Sequence, residues 1–305
     1  MWEKFSKQLT HYTEAERERI RVAFDIAEHC HHGQTRGTGD PYITHPVAVA
    51  RELISLKLDA STIVASLLHD VLEDCKITKK DLENKVGVEA AFLVESVTKL
   101  DHVRYQGFER KVESTRKMFL AVAEDIRVVL IKLADRMHNM QTIRGLTPEK
   151  QKRVAQETLE IYAPLAYRLG IGEWKGELED LSFPIIYPDE YKWLTGEVKN
   201  LLPKRKKYLD KILPVVMGHL ESGGVYPVSI DFRTKRYYSL WRKLLRNNLD
   251  LERITDLAAL RIIVNSIEEC YQALGIIHSL WRPLPGKIKD YIAMPKSNGY
   301  QSIHT

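Results

Sequence analysis

Cysteine is scarce in this sequence: Cys30, Cys75 and Cys270 make an odd number with no Cys-x-x-Cys spacing. That pattern supports neither a disulfide framework nor a zinc knuckle, and it suits a reducing, cytoplasmic compartment. Long apolar runs are missing as well. The opening stretch MWEKFSKQLTHYTEAERERI is charged and amphipathic, without a signal-peptide core. No later stretch approaches the roughly 18 apolar residues of a membrane span, so the chain is expected to be neither exported nor inserted. Charge of one sign is weak: 46 Lys and Arg against 41 Asp and Glu leave a net +5. Such a balance is too mild for direct nucleic-acid binding and fits small anionic ligands better. Repeats and low-complexity tracts are absent, which excludes solenoids and arrays. What remains is the composition of a folded protein, 44% hydrophobic and 29% charged over 305 residues, long enough for two cores at roughly 150 residues per domain.

Strand signals are nearly absent up to about Gly170. Apolar residues at three- and four-residue spacing predict helices in AERERIRVAFDIAEHC, THPVAVARELISL, ASTIVASLLHDVLED, TKKDLENKV, VEAAFLVESVTKL, STRKMFLAVAEDIRVVLIKLADRMHNMQTI and PEKQKRVAQETLEIYAPLAYRLG. Between the first two, GQTRGTGDPYITHP places Arg36 in a loop and His45 at a helix start that Thr44 can cap. A polar connection from Asp101 to Val112 reads as a mobile segment. From Glu173 to about Leu220 the helical pattern is interrupted by Pro184, Pro188 and Pro203, as in a connecting bundle, and Gly223-Gly224 marks its end. Beyond it VYPVSIDFRT, ALRIIVNS and GKIKDYIAMP read as strands, and YSLWRKLLRNN and SIEECYQALGIIHSLW as helices, which is the pattern of an α/β sheet domain.

Charged residues sit inside the apolar periodicity of the first half: His69-Asp70 in LLHDVLED and Asp135 in KLADRMHNM, with His45 upstream. A buried carboxylate without a partner costs several kcal/mol, so such planting points to a cation that offsets desolvation. If LLHDVLED is helical throughout, Glu73 falls four residues after His69 and Asp74 four after Asp70, on one face. Asn139 and Thr142 follow Asp135 at four and seven residues, aligning an amide and a hydroxyl beside the acid. Two imidazoles and two carboxylates suit manganese, ferrous iron or zinc rather than calcium, and manganese is favoured. The competing reading keeps these residues separate: a helix-capping His45, a surface His-Asp pair, and Asp135 salt-bridged to Arg136 or Lys132.

In the second half Arg233, Lys235, Arg236, Arg242, Lys243 and Arg246 gather around Tyr237, Tyr238 and Trp241, where a strand passes into a helix. Guanidinium forks and free helix-start amides favour phosphate there, while the plainer alternative is a solvated basic face. Asp256 could hold a magnesium ion shared with phosphates or cap a turn. Tyr300 beside Gly299 offers an aromatic platform for a base, with Gln301 and His304 on nearly the same strand face, against the alternative of a packed strand residue.

These motifs, with VTKL, ETLEIYAPLAYRLGI, RTKRYYSLWRKL, ITDLAALRIIV and LPGKIKDYIAMPKSNGYQSIHT, resemble the long RelA/SpoT homologue family in the same order over almost the whole chain. The resemblance implies an α+β chain: an all-α HD-type (p)ppGpp hydrolase domain at 1–172, a helical connector at 173–222, and the N-terminal part of a nucleotidyltransferase-like α/β synthetase domain at 223–305. It implies that His45, His69, Asp70 and Asp135 ligate manganese, that Glu73 and Asp74 position and activate water, and that Arg36, Asn139 and Thr142 hold the guanosine. The implied reaction is attack of metal-activated hydroxide on the 3′-diphosphate of ppGpp or pppGpp, releasing pyrophosphate and GDP or GTP.

For the synthetase the resemblance implies phosphate contacts from Arg233, Lys235, Arg242 and Lys243, a magnesium ligand at Asp256, and guanine stacking on Tyr300 near Gln301 and His304, with pyrophosphate passing from ATP to GDP or GTP. The family's catalytic Glu lies downstream of NGYQS, so this chain is expected not to synthesise (p)ppGpp alone. Ribosome association is expected only through C-terminal regulatory regions beyond this stretch. The sequence departs from the family at Gly37, where a second basic residue is usual, at Thr38 for Ser, and at Arg236 for His. KIKD at 287–290 is similar to the basic type of bifunctional members, which implies an active hydrolase. Two alternatives stand beside this reading: an HD-type phosphohydrolase of ordinary nucleotides, and a catalytically silent alarmone- or GTP-binding module.

Overall fold

Capping chemistry written in the sequence sets several helix starts. In the computed structural model, which describes residues 1–101, 124–251, 254 and 257–305, the chain divides into two units, Met1–Tyr162 and Ala163–Thr305. After α1 (Trp2–Ser6), α2 (Glu14–Cys30) opens on a capping box: Thr13 accepts from the Glu16 amide while the Glu16 carboxylate returns to the Thr13 amide. Next come α3 (Thr44–Ser55) and α4 (Ala60–Leu67), the latter started by Asp59 accepting from the Thr62 amide at 3.0 Å. Thr78 and Asp81 form a second capping box before α6 (Lys79–Val86), which leads into α7 (Val88–Asp101). Asp125 caps α8 (Ile126–Gln141) by accepting from the Arg127 amide at 2.9 Å.

Every residue of α4 is buried, because α2, α3, α7 and α8 surround it. A helix that is apolar on all sides belongs at the centre of a bundle. Its polar groups are satisfied locally: Ser66 donates to the Ile63 carbonyl at 2.7 Å and Thr62 to Asp59 at 2.7 Å. The segment predicted as one helix through LLHDVLED breaks after Leu67 and resumes as α5 (Val71–Asp74). His69 causes the break, since its Nδ1 takes the Ser66 carbonyl at 2.8 Å and so competes for an acceptor at the C-terminal end of α4.

A second correction concerns sulfur. Cys30 ends α2 and Cys75 follows α5, and the two form a disulfide with a Cα–Cα separation of 6.0 Å. Their separation of 45 residues gave no motif to read; packing of α2 against α5 makes them neighbours. Past a 3₁₀ turn at Ile143–Gly145, the predicted helix PEKQKRVAQETLEIYAPLAYRLG is α9 (Pro148–Glu157), a π turn (Thr158–Tyr162) and then α10 (Ala163–Arg168). The connection read from Asp101 to Val112 lies outside the described residues, apart from the backbone of Asp101 that ends α7.

In the second unit α11 (Gly172–Ile186) is followed by α12 (Pro188–Ser222), which carries Pro203 and Pro214 in its interior. The expected breaks at Pro184, inside α11, and at Pro203, inside α12, do not occur. An internal proline costs roughly 3 kcal/mol, and two apolar clusters offset it by holding the helix at each end. Leu194 and Val198 pack with Phe183, Leu240 and Leu244, whereas Val216 and Leu220 pack with Val225 and Ala273. Strand β1 (Ser229–Thr234) pairs antiparallel with β2 (Ala258–Ile263), Ser229 opposite Ile263, and α13 (Tyr237–Leu245) lies between them in sequence. After α14 (Ile267–Leu280), β3 (Lys289–Asp290) pairs with β4 (Ile303–His304). The strand expected through GKIKDYIAMP is this short because the Asp290 carboxylate turns the chain, accepting from the Ile292 and Ala293 amides at 2.9 Å each. The chain is therefore mostly helical with a few strands. No helix among the described residues is long and apolar enough to cross a membrane.

Candidate active site

Three elements of the first unit bring the four charged residues together. His69, on the turn between α4 and α5, gives Nδ1 to the Ser66 carbonyl. A carbonyl only accepts, so the proton resides on Nδ1 and the Nε2 lone pair is free. That Nε2 faces His45 Nε2 at 3.2 Å and Asp70 Oδ1 at 3.2 Å. His45, buried in the first turn of α3, directs the same Nε2 at Asp135 Oδ1 of α8, 3.2 Å away, and at Asp70 Oδ2, 3.7 Å away. Asp135 Oδ1 is in turn 4.0 Å from His69 Nε2. Ligand atoms of His45, His69 and Asp70 all lie within 4.8 Å of one another. A free imidazole lone pair aimed among carboxylate oxygens fits one divalent cation with a mixed nitrogen and oxygen set.

The electrostatics agree with that use. Burial pulls His45 below the usual imidazole range, which keeps it neutral as a ligand must be. Burial would push Asp135 up, but Lys132 and then His45 outweigh it and hold the carboxylate well below its ordinary range. Asp70 is lowered too: burial opposes ionisation, and His69, His45 and the Tyr42 hydroxyl overcome it.

Around these four stand residues that the sequence reading did not single out. Tyr42 donates its hydroxyl to Asp70 Oδ2 at 2.8 Å, and His31 stacks on the Tyr42 ring with centroids 4.4 Å apart. His138 Nδ1 lies 2.8 Å from His45 Nδ1. Their only signal was spacing, Tyr42 three residues before His45 and His138 three after Asp135. Of the ion pairs proposed as the plain alternative, Lys132 does reach Asp135 Oδ2 at 2.7 Å, leaving Oδ1 toward the imidazoles, whereas Arg136 pairs with Glu157 at 3.1 Å.

Glu73 and Asp74 are exposed in α5, immediately beyond Asp70 and outside the donor cluster. Because α4 breaks, they do not continue its face. Burial and then the Asp70 charge raise the Asp74 carboxyl, which makes it a better proton acceptor than a free aspartate. Arg36, Asn139 and Thr142 form one network: the Arg36 guanidinium donates to Asn139 Oδ1 at 2.7 Å and to Thr142 Oγ1 at 3.3 Å, and Asn139 donates to Asp135 at 2.5 Å. The departure at Gly37 acquires a steric reason here. Its backbone packs directly on that of Gly145, and a Cβ added at Gly37 would run into the Gly145 backbone carbonyl, 3.0 Å from its carbon.

In the second unit Arg233 lies exposed on β1, Lys235 just beyond it, and Arg242 and Lys243 on α13. The amides at the start of α13 are not free for phosphate, as the sequence had suggested: Asp180 accepts from the Tyr238 amide at 2.9 Å. Tyr237, Tyr238 and Trp241 pack against the Phe183 cluster, so these rings are partly core. Tyr300 is half-buried, with its hydroxyl 2.9 Å from His304 Nε2 and the Lys296 ammonium 4.6 Å above its ring. Gln301 is exposed and precedes β4 rather than sharing a strand face with His304. Asp256 lies outside the described residues.

Comparison with known proteins matches residues 23–172 to the HD domain family and residues 232–305 to the family described as a region found in RelA/SpoT proteins. The chain is 48% identical over 297 residues to the bifunctional (p)ppGpp synthase/hydrolase SpoT of Escherichia coli, covering 97% of this chain and 42% of that protein. It is 46% identical over 304 residues to the guanosine-3′,5′-bis(diphosphate) 3′-pyrophosphohydrolase of Aquifex aeolicus, covering 99% and 43%. With the GTP pyrophosphokinase of Streptomyces coelicolor it shares 47% identity over 286 residues, covering 94% and 34%. The chain thus spans less than half the length of these relatives.

Proposed function

Because the chain belongs to the RelA/SpoT homologue family, carrying its HD domain and its RelA/SpoT region, we propose that residues 1–172 form a manganese-dependent (p)ppGpp 3′-pyrophosphohydrolase. The observation that carries this is the convergence of His45, His69, Asp70 and Asp135 beside the Arg36–Asn139–Thr142 network. His45, His69, Asp70 and Asp135 would hold a divalent cation, which would supply Lewis acidity toward the 3′-diphosphate and lower the pKa of nearby water. The chain's own residues do the rest. Asp74, whose carboxyl is raised, takes a proton from the attacking water, and Glu73 beside it orients that water. The water oxygen bonds to the phosphorus carried on the ribose 3′ oxygen, that P–O bond breaks and pyrophosphate leaves, and the 3′ oxygen stays with GDP or GTP and takes up the proton that Asp74 removed. Arg36, Asn139 and Thr142 hold the guanosine end, with Tyr42 keeping Asp70 turned toward the imidazoles.

For residues 223–305, after the connector at 173–222, we propose the phosphate-binding part of a magnesium-dependent synthetase in which Arg233, Lys235, Arg242 and Lys243 meet nucleotide phosphates, Asp256 the magnesium, and Tyr300, Gln301 and His304 the guanine nucleotide. In the whole protein this site transfers pyrophosphate from ATP to GDP or GTP. Exposure of Arg233 and Arg242 supports the reading.

Purified protein supplied with manganese and ppGpp tests the hydrolase. Pyrophosphate release that His69→Ala abolishes is the expected result. Turnover of deoxynucleoside triphosphates but not ppGpp would favour a general nucleotide phosphohydrolase instead, and binding without turnover a silent alarmone module.

A further inference from the structure

His45 is held at both ring nitrogens by one helix. Its Nε2 faces Asp135 Oδ1 at 3.2 Å, and its Nδ1 faces His138 Nδ1 at 2.8 Å, with Asp135 and His138 one turn apart on α8. If Nε2 offers its lone pair to a cation, the neutral ring must carry its proton on Nδ1. That N–H is buried and needs an acceptor. His69 meets the same need with the Ser66 carbonyl, a group that can only accept. His45 depends on an imidazole, which can accept or donate.

We infer that His138 is a positioning residue for the metal centre: it accepts the Nδ1–H of His45, keeps its own proton on Nε2, and so fixes both the tautomer and the angle at which His45 presents Nε2. The ring geometry suits this, with centroids 5.0 Å apart and planes tilted by 34°. The backbone under His138 is secured as well, because its carbonyl receives the Thr142 hydroxyl at 2.8 Å and the Thr142 amide at 3.0 Å. Thr142 therefore links His138 to the network that includes Arg36, and the donor set and the nucleotide-holding residues share one helix end. Outer partners of metal-bound histidines typically govern affinity in this way.

The inference rests on the cation site proposed above, and its test separates the two. Metal-stripped full chain is titrated with manganese while the electron paramagnetic resonance signal of the free ion is followed. His138→Leu should weaken binding about 10- to 100-fold, and His138→Asn, whose Oδ1 reaches the place of Nδ1 as an acceptor, should recover most of that loss. Leu binding within twofold of the parent, with His45→Ala strongly impaired, overturns the role of His138 and leaves the site standing. A parent that does not bind manganese, or His45→Ala binding like the parent, overturns both. A second measurement requires no variant: with zinc as a diamagnetic stand-in, ¹⁵N spectra of the histidine rings should show His45 protonated at Nδ1 and His138 at Nε2. Protonation of His138 at Nδ1 refutes the inference.

Discussion

The two candidate sites use charge in opposite ways. In the first, His45, His69 and Asp135 are buried against one another with Asp70 half-buried beside them, and each has a named partner: His138 for His45, Ser66 for His69, Tyr42 for Asp70, Lys132 and Asn139 for Asp135. In the second, Arg233 and Arg242 are exposed, and Asp180 already occupies the helix start beside them. Buried polar groups must be satisfied, so their geometry is specific and can be read as a donor set. Solvated cations leave their geometry open until an anion arrives. The lesson is that charged and polar side chains define a chemistry when buried and only a preference when exposed.

Removing a buried donor should therefore have the largest effect. His69→Ala or Asp135→Asn is expected to lower pyrophosphate release from ppGpp by about three orders of magnitude, whereas Arg242→Ala should leave it within about twofold, by the same assay. Equal losses would erase the contrast between the units. Reducing the Cys30–Cys75 bond comes next. Dithiothreitol should cut the unfolding free energy by about 2–4 kcal/mol in urea titrations of the chain, and Cys270→Ser, outside the bond, should leave that difference intact.

Gly37→Ala places a Cβ against the Gly145 backbone. An overpacking cost of about 1–3 kcal/mol is expected, together with a higher KM for ppGpp, because the Arg36 loop must lift. An unchanged melting temperature and KM would show the contact to be dispensable. The smallest effect concerns a cluster away from the site. Arg127 lowers Asp125 through its guanidinium hydrogen bonds, and Glu89 is lowered by Ser61 and then Arg127. Both carboxylates are depressed on folding, so their stabilisation is present above the unfolded carboxylate range near pH 4 and fades as pH falls through the folded values. Arg127→Met should flatten the acid limb of the urea midpoint against pH while leaving the neutral plateau only slightly lower.

Much of this was legible in the sequence because short-range rules dominate it. Apolar spacing of three and four residues announces the helices of the first half, and the i+4 relation of Asp135 and Asn139 survives as a 2.5 Å hydrogen bond. What escaped depends on distance along the chain. The helix break at His69 arises when a side chain takes a backbone acceptor, which periodicity cannot register. The Cys30–Cys75 pair and the Gly37–Gly145 contact join segments far apart in sequence. The proline positions in α12 argued for interruption, and only the two apolar clusters at its ends show why the helix persists. His138 went unnoticed because a histidine on an amphipathic helix carries no mark of its partner.

Anomalous diffraction from crystals soaked in manganese addresses the central claim most directly. A single strong peak within bonding distance of His45 Nε2, His69 Nε2 and the carboxylates of Asp70 and Asp135 is the expected result. A peak elsewhere, or none at saturating manganese, would contradict the account.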